Sequence, residues 1–555
     1  MIPKFTPSQY NVHYPADRKF VIQFSKRAVL AVFGIVFFTF GIAWIQYLIF
    51  GLPADPSLKL INDKTAPLGF PLWLIFCHWM NFFLLTILLR SGLSILFDHP
   101  RLYWRADSKP GSEWLKFTNK KVSENEYWTA KDDARYLNPV IGLPGYRHSV
   151  GIARSWHFIY VPLFIITGIF FISMLFLTDY WRRVVPSSFQ VIPDAWKIFV
   201  HYSTFNLPVE LNGYYQYNAL QKLSYFGVIF FIAPISILTG LCMAPSVANR
   251  FPWFPKIFGG RQGARSVHFL AMLSFLFFII IHVSLVCITG FKKNINHITI
   301  NSDSESDILG MIIFFIIILF VVGFSFFAHF ISWRKPRILQ KISAAVNGNV
   351  RRITINKLKP QKFFTKSDIS SYFWTNGKIP QSDTWKELAS NDFKDYKLEI
   401  SGLVKNEIEF SLAELKKLGK EQNITMHHCI QGWTGVAEWG GVALKKIIDI
   451  VEPLESADTV VFYSFGEGLY GGKYYDTHTL ENCLKPQSIL AWEMNYKPLP
   501  VEYGAPLRLR IENQLGYKMV KWIQKIEFVS SHKVVGKGFG GKNEDDEYYD
   551  LIANI

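Results

Sequence analysis

Hydrophobic and polar positions follow two different rhythms along this 555-residue chain. Up to about residue 333, apolar runs of 20 or more residues alternate with basic loops. Six such runs, at roughly 28–50, 71–96, 151–177, 217–245, 264–290 and 306–333, are long enough as helices to cross about 30 Å of hydrocarbon. Farther on, Lys, Glu, Asp and Gly take over and the apolar stretches shrink to strand length. There "YKLEISGLV" and "TVVFYSF" alternate as strands do, whereas "SLAELKKLG" and "GVALKKIIDIVEP" have the spacing of short amphipathic helices. The pattern predicts a multi-domain chain with an all-α transmembrane bundle followed by an α+β domain. Residues 1–27 form an amino-terminal arm, 28–333 the bundle, 334–366 a basic linker and 367–535 the second domain. Residues 536–555 form a Gly-rich, acidic ending, with "GKGFGG" expected as a flexible loop and "GGKNEDDEYYD" as a solvated tail.

Charge adds an orientation. The net charge is +16, and the basic residues cluster beside the apolar spans, where they set topology and touch anionic lipid. Eighteen Lys and Arg lie in the arm and in loops 97–150 and 246–265, against seven in loops 51–70, 178–216 and 291–305. The excess predicts that both termini and the whole carboxy-terminal domain are cytoplasmic, in the inner membrane of a bacterium. Nothing in the sequence argues for nucleic acid: there is no basic recognition helix, zinc-finger spacing or aromatic-studded strand. The five cysteines show no CxxC and no disulfide framework. The first 27 residues lack a cleavable signal pattern. No Gly-rich nucleotide motif is present.

Ionisable side chains inside spans are functional candidates by default. His78 lies near the start of the second span and His157 near the start of the third. His268 and His282 flank the fifth, 14 residues apart. At 100° per residue these two face the same way, separated by about 21 Å along the axis. Following the chain through the membrane, His78 and His282 fall at the outer level, and His157 and His268 at the inner level. Any one of them reads equally well as a polar contact between helices. Two opposed imidazoles at each of two depths is the arrangement that a pair of six-coordinate haems requires. His329 has no such partner and is read as structural. The order of histidines, with "DHPRLYW" and "LNPVIGLPGYRHSVGIARSWHF", resembles the di-haem cytochrome b subunits of formate dehydrogenase and nickel-iron hydrogenase, within the bacterial cytochrome b561 group. The resemblance covers about residues 70–290 and implies a four-helix di-haem core holding two haem b groups and exchanging electrons with the quinone pool.

In the polar third, "ITMHHCIQGWTG" brings His427, His428 and Cys429 together. In an extended segment neighbours point to opposite faces, so the three cannot ligate one ion. A zinc site would need further ligands at other spacings. A nucleophilic thiol, a buried inert thiol and a thiolate offered to a transition metal stay open on these residues alone. The longer stretch "HHCIQGWTGVAEWGGVALKKIIDIVEP" resembles the molybdenum-ligand segment of the sulfite oxidase fold, with closest likeness to the catalytic subunit of bacterial methionine-sulfoxide reductase. The resemblance implies that Cys429 is the molybdenum thiolate and that the domain binds molybdopterin. It extends to Phe373 and Asn376 in "ISSYFWTNGKIP", to Ser464, and to Arg508, Gly516, Tyr517, Lys518 and Lys521 in "EYGAPLRLRIENQLGYKMVKW". Arg508 and Lys518 would then supply charge-assisted donors to the cofactor phosphate. Sulfite oxidases carry an Arg-Asn-His run where this chain has Thr375, Asn376 and Gly377, and a histidine where it has Tyr503, which makes sulfite a poor substrate candidate.

Together these features predict a membrane-bound molybdenum oxidoreductase. It would pass electrons among quinone or quinol, two haems and a molybdopterin centre that moves an oxygen atom to or from a small substrate, with reduction favoured. A di-haem electron carrier whose second domain is a non-catalytic binding or assembly module is the alternative, and a haem-free transporter a more distant one. Substrate identity and oligomeric state, including a homo-oligomer, are open at this stage.

Overall fold

The computed structural model describes residues 23–24, 26–56, 67–106, 108–118, 129–145, 149–208, 213–354, 358, 363–551, 553 and 555. Most of the amino-terminal arm, and the "YRH" of the long inner-loop motif, lie outside them. Among the described residues, six helices are long and apolar enough to cross a membrane. They are α1 (Lys26–Phe50), α2 (Leu72–Leu96), α3 (Val150–Leu177), α4 (Ala219–Met243), α5 (Gly260–Ile288) and α6 (Leu309–Arg334). Large apolar side chains such as Phe37, Ile166 and Phe277 stay exposed on their outer faces. That is costly in water but not in lipid, where the helix satisfies its own backbone. Helix α2 packs on α3 and α5 on α4, which sets the histidine-bearing helices around one interior.

The stretch expected as a basic linker is mostly a helix, α7 (Pro336–Thr354). Leu339, Ile342, Val346 and Val350 recur at helical spacing and form one apolar face, and α7 lies along α3. The many basic residues hide that periodicity from a composition-based reading.

The second domain contains two sheets. Its strands are β1 (Lys397–Gly402), β2 (Ile408–Ser411), β3 (Glu421–His428), β4 (Thr434–Ala443), β5 (Thr459–Glu467), β6 (Lys473–Thr479), β7 (Ile489–Met494), β8 (Lys497–Pro498), β9 (Arg508–Arg510) and β10 (Ile523–Val529). One sheet runs β2–β1–β10–β5–β6, with β1 and β10 parallel. The other runs β8–β7–β4–β3, with β9 also paired to β7. Strand β4 is buried almost throughout. At Gly441 an added Cβ would lie 2.0 Å from the Leu490 carbonyl oxygen, so only glycine lets β4 and β7 close together. The expected helices form at Leu412–Lys417 and Leu444–Val451.

The carboxy-terminal ending is packed rather than solvated. Glu544, Asp545 and Glu547 are buried, and the ring of Tyr549 lies 4.8 Å from that of Tyr517. The glycine-rich turn is held in place: Asp545 accepts from the backbone N–H groups of Lys537 at 2.9 Å and Phe539 at 3.1 Å. The acidic residues pack into the protein because buried cations meet them there, Lys518 from the second domain and Lys131 from loop 97–150 of the bundle.

Candidate functional site

The four span histidines meet in the two pairs that their depths suggest. The rings of His78 and His282 are 6.3 Å apart between centroids, and those of His157 and His268 are 6.4 Å apart. An atom midway would lie about 3 Å from each centroid, which is the reach of a ring nitrogen plus a metal–nitrogen bond of about 2 Å. The inner rings are oriented from behind. His157 Nδ1 pairs with Ser91 Oγ at 3.1 Å, and His268 Nδ1 with Thr239 Oγ1 at 3.1 Å and the Ser236 carbonyl at 3.0 Å. That leaves Nε2 of each facing the partner ring. Gly92 and Gly240 follow the two hydroxyl residues, and an added Cβ there would come within 3.5 Å of His157 and 3.7 Å of His268. The outer pair lacks this support, since Nδ1 of His78 is buried with no hydrogen bond. The geometry accommodates a haem iron at each level. His329 is tied to Arg90 at 2.7 Å and to the Pro144 carbonyl at 2.8 Å.

Cys429 opens the tight connection between β3 and β4. Register pairs His428 with Thr434 and His427 with Gly435. Within the connection the Cys429 N–H donates to the Trp433 carbonyl at 3.1 Å, and the Gly432 N–H to the Cys429 carbonyl at 3.1 Å. Gly432 takes φ +103°, a left-handed conformation that favours glycine. The thiol sulfur meets Asn376 Nδ2 at 3.2 Å. Burial pushes the Cys429 thiol up to about 12. A thiol so disfavoured as a free anion is a poor nucleophile, whereas a coordinated metal removes its proton outright. No cluster of three or more His, Cys, Asp or Glu suited to a metal occurs among the described residues, so a metal here would need most of its ligands from a cofactor.

Phe373, Asn376, His427, Ser464, Tyr503, Arg508, Gly516, Tyr517 and Lys521 line one cavity with Cys429, whereas His428 and Lys518 do not. Phe373 packs between Trp433, Trp439 and Tyr503, each 5.8 Å away between ring centroids. Tyr503 donates its hydroxyl to the Phe373 carbonyl at 2.7 Å. Ser464 donates to the Lys521 carbonyl at 2.7 Å, fixing the segment that carries the lysine. At Gly516 a Cβ would lie 2.2 Å from the His427 ring, so backbone alone fits there. The lining includes Asp132, Glu467 and Glu547, yet Arg508 and Lys521 make no ion pair among the described residues. Arg508 Nε is buried with no hydrogen bond, and Lys521 donates only to the neutral Glu502 carbonyl, at 2.7 Å. Burial, then the neighbouring Arg508, pulls the Lys521 ammonium well below the usual lysine range. Burial, then Arg510, lowers Arg508 to about 9. An anionic ligand with several acceptors would satisfy both, so these residues fit a pterin phosphate.

Comparison with known proteins agrees with both halves. Residues 69–299 match the family described as prokaryotic cytochrome b561, and residues 385–534 match the oxidoreductase molybdopterin binding domain. The chain joins a cytochrome b561 domain to a molybdopterin oxidoreductase domain. A chain of Azospira oryzae named as a putative protein-methionine-sulfoxide reductase subunit, YedZ1, is 31% identical over 29% of this chain and 57% of its own length. The protein-methionine-sulfoxide reductase catalytic subunit MsrP of Campylobacter jejuni is 28% identical over 25% of this chain and 52% of its own. The NADPH nitrate reductase of Fusarium oxysporum is 27% identical over 35% and 23%. The chain thus spans between 23% and 57% of the length of these relatives.

The two domains share the site. Gln431 donates to the Asp98 carbonyl at 2.9 Å, Gln262 to the Gly432 carbonyl at 3.0 Å, and Trp374 to the Ser108 carbonyl at 2.6 Å. Thr129, Lys131 and Asp132 of the cytochrome domain's loop 97–150 line the molybdopterin-domain cavity, as do Asn543, Glu547 and Tyr549 of the tail. Lys131 bridges Asp98 at 3.2 Å and Glu547 at 3.4 Å. No local motif marks these residues, and the loop ones stand hundreds of positions from Cys429. Lys518 departs from the expected role. Its ammonium is buried between Asp476 and Glu544, the latter at 2.6 Å, and does not reach the cavity. Two carboxylates already answer its charge, whereas Arg508 and Lys521 face the cavity with no ion pair among the described residues.

Proposed function

We propose that the chain is a multi-pass oxidoreductase of the bacterial plasma membrane that couples quinol oxidation to reduction of a small oxo-bearing substrate at molybdenum, in the cytoplasm. His78 with His282 and His157 with His268 would hold two b haems, and Cys429 the molybdenum. Molybdopterin supplies a metal centre that exchanges one oxygen atom and two electrons with substrate, and haem supplies one-electron carriage. The chain's own residues do the rest. Ser91 and Thr239 keep Nε2 of the inner histidines directed inward. Arg508 and Lys521 hold an anion. Phe373, Trp433 and Trp522 wall the cavity and keep bulk water out.

One observation carries the coupling. The Trp433 carbonyl accepts from Cys429 N–H and is also reached by Arg261 Nη1 at 3.5 Å. Arg261 stands on α5, two turns before His268. The thiolate position is therefore joined through two short contacts to the helix that carries the inner histidine. The names of two relatives favour an S-oxide, whose sulfur–oxygen bond takes up two electrons and two protons to give a thioether and water. Haem and molybdenum should be counted on one preparation, and the chemically reduced b-type α band then followed after mixing with S-oxides, N-oxides and oxyanions. Rapid reoxidation by an S-oxide, abolished in Cys429→Ser, is the expected result. Stoichiometric haem with no molybdenum would leave the electron carrier with a non-catalytic second domain.

A further inference from the structure

Two guanidinium groups stand between the inner histidine pair and Cys429, and only Arg261, through its contact with the Trp433 carbonyl, has figured so far. Arg154 precedes His157 by three residues on α3, and Arg261 precedes His268 by seven on α5. Both helices start at the molybdopterin-domain side, so both arginines lie beyond the imidazoles in that direction, by about 4.5 and 10.5 Å along the axes. Seven residues turn the helix through about 700°, which returns Arg261 to the His268 face. The two charges are close enough to act on each other and on Cys429, and Arg154 also acts on His157.

Neither guanidinium makes an ion pair among the described residues. Arg261 donates to neutral carbonyls, Met243 at 2.7 Å and Trp433 at 3.5 Å. Arg154 lies 4.9 Å over the Phe158 ring. Asp550 and the hydroxyls of Tyr517 and Tyr549 influence Arg154, but no carboxylate approaches either arginine within the 4.0 Å of an ion pair among the described residues. The neighbouring Arg265 is different in kind, being filled by the carbonyls of Leu96, His99 and Arg101. Two cations side by side, influenced by Asp550 only from beyond ion-pair distance, are unfavourable unless a ligand brings more negative charge.

We propose that Arg154 and Arg261 bind the two propionate carboxylates of the haem held by His157 and His268, turning its propionate edge toward Cys429. This rests on the reading of the inner pair as a haem site. It gives the electron a defined exit, because the carboxylates would end beside the guanidinium that touches the Trp433 carbonyl. It also makes both arginines positioning residues that tune the inner haem, since nearby positive charge stabilises the reduced form. The phosphate of molybdopterin is the other anion within the domain pair that a guanidinium fork would accept, and the test separates the two.

The experiment is a potentiometric titration of the b-type α bands in the purified full chain, with molybdenum measured on the same samples. Arg154→Gln and Arg261→Gln should each lower the midpoint of one haem component by roughly tenfold in its one-electron equilibrium, about 59 mV. The other component and the molybdenum content should stay unchanged. Arg154→Lys and Arg261→Lys, which keep the charge and lose the fork, should show a smaller fall. They also carry the measurement should the Gln variants fail to retain the inner haem. Midpoints equal to the parent's in all four variants overturn the proposal. So does a loss of molybdenum with both midpoints unmoved, which would assign the arginines to the pterin phosphate. A parent with a single b component, or one whose components both survive His157→Ala, defeats the inner-haem assignment itself.

Discussion

At the residue scale, the two histidine pairs differ in how they are held. Ser91 and Thr239 fix the ring orientation of the inner pair, whereas His78 Nδ1 finds no hydrogen bond. Partners behind a metal-bound imidazole commonly account for about 10–100-fold in metal affinity. Ser91→Ala and Thr239→Ala should therefore weaken haem retention at the inner level by that order while the outer haem stays. Haem content and the split of the α band before and after dilution into detergent would check this; equal loss from both levels would count against it. Lys521 offers a second prediction through pH. Its folded pKa lies below the unfolded value of about 10.4. Between those two values the unfolded chain binds the extra proton, so unfolding takes up a proton and stability rises with pH. The cofactor-free protein should thus melt at increasing temperature from neutral pH toward about 10. Lys521→Met should flatten that slope, and a slope identical to the parent's would sink the idea. The position of Lys521 can be inferred from the sequence by resemblance. Its lack of an anionic partner cannot, because that depends on where Glu502 and Arg508 point after folding.

At the scale of elements, the tail and its buried ion pairs matter most. Lys518 sits between Asp476 and Glu544, all three essentially inaccessible to water. Removing the ammonium leaves two carboxylates facing each other in the interior, a change that costs about 3–5 kcal/mol. Lys518→Met should destabilise the molybdopterin domain by that amount in thermal unfolding followed at the tryptophans, and added Glu544→Gln should recover part of it. If Lys518 instead served the cofactor alone, the cofactor-free protein would be indifferent to the substitution. The same triad shows why composition misleads about the tail. A run such as "KNEDDEYYD" has the make-up of a solvated segment, and only the positions of Lys518, Arg337 and Lys131 in space reveal partners for it. Helix α7 is hidden for a related reason, since charge masks an apolar spacing of three and four residues. The six spans are legible because an unbroken run of about 20 apolar residues suits a membrane and little else. The hairpin presenting Cys429 is less so, because β4 is buried almost throughout and shows no alternation to mark it as a strand. The contribution of loop 97–150 to the cavity is not legible, because a contact such as Ala130 N–H to the Thr375 carbonyl at 2.9 Å joins segments that nothing in the sequence links.

At the scale of the whole molecule, sidedness reduces to a single binary choice. An even number of spans puts the arm and the molybdopterin domain on the same face. The contacts of Asp98, Ser108 and Gln262 with that domain then bind loop 97–150 and the start of α5 to it, so no inner segment can be assigned independently of the rest. The excess of 18 Lys and Arg over 7 on the opposite loops makes the cytoplasm the expected side. Half of the 18 lie in loop 97–150, whose length weakens its vote, but the count without it is still 9 to 7 and the basic residues of α7 add to the same face. Protease added to intact cells stripped of their outer envelope should therefore leave the molybdopterin domain whole, while the same protease on inverted vesicles should cleave it. Cleavage in the intact cells would reverse the membrane frame: His157 and His268 would become the outer pair, and protons used in reducing substrate would come from outside. The inward arrangement makes a further demand that the outward one does not. Electrons from a quinol oxidised near His78 and His282 would travel inward by about 21 Å to the second level, so substrate reduction in sealed, inverted vesicles should generate a membrane potential that an ionophore collapses. An outer pair supplied from the inner leaflet would give no such potential, and that result would move the quinol site to the His157 level.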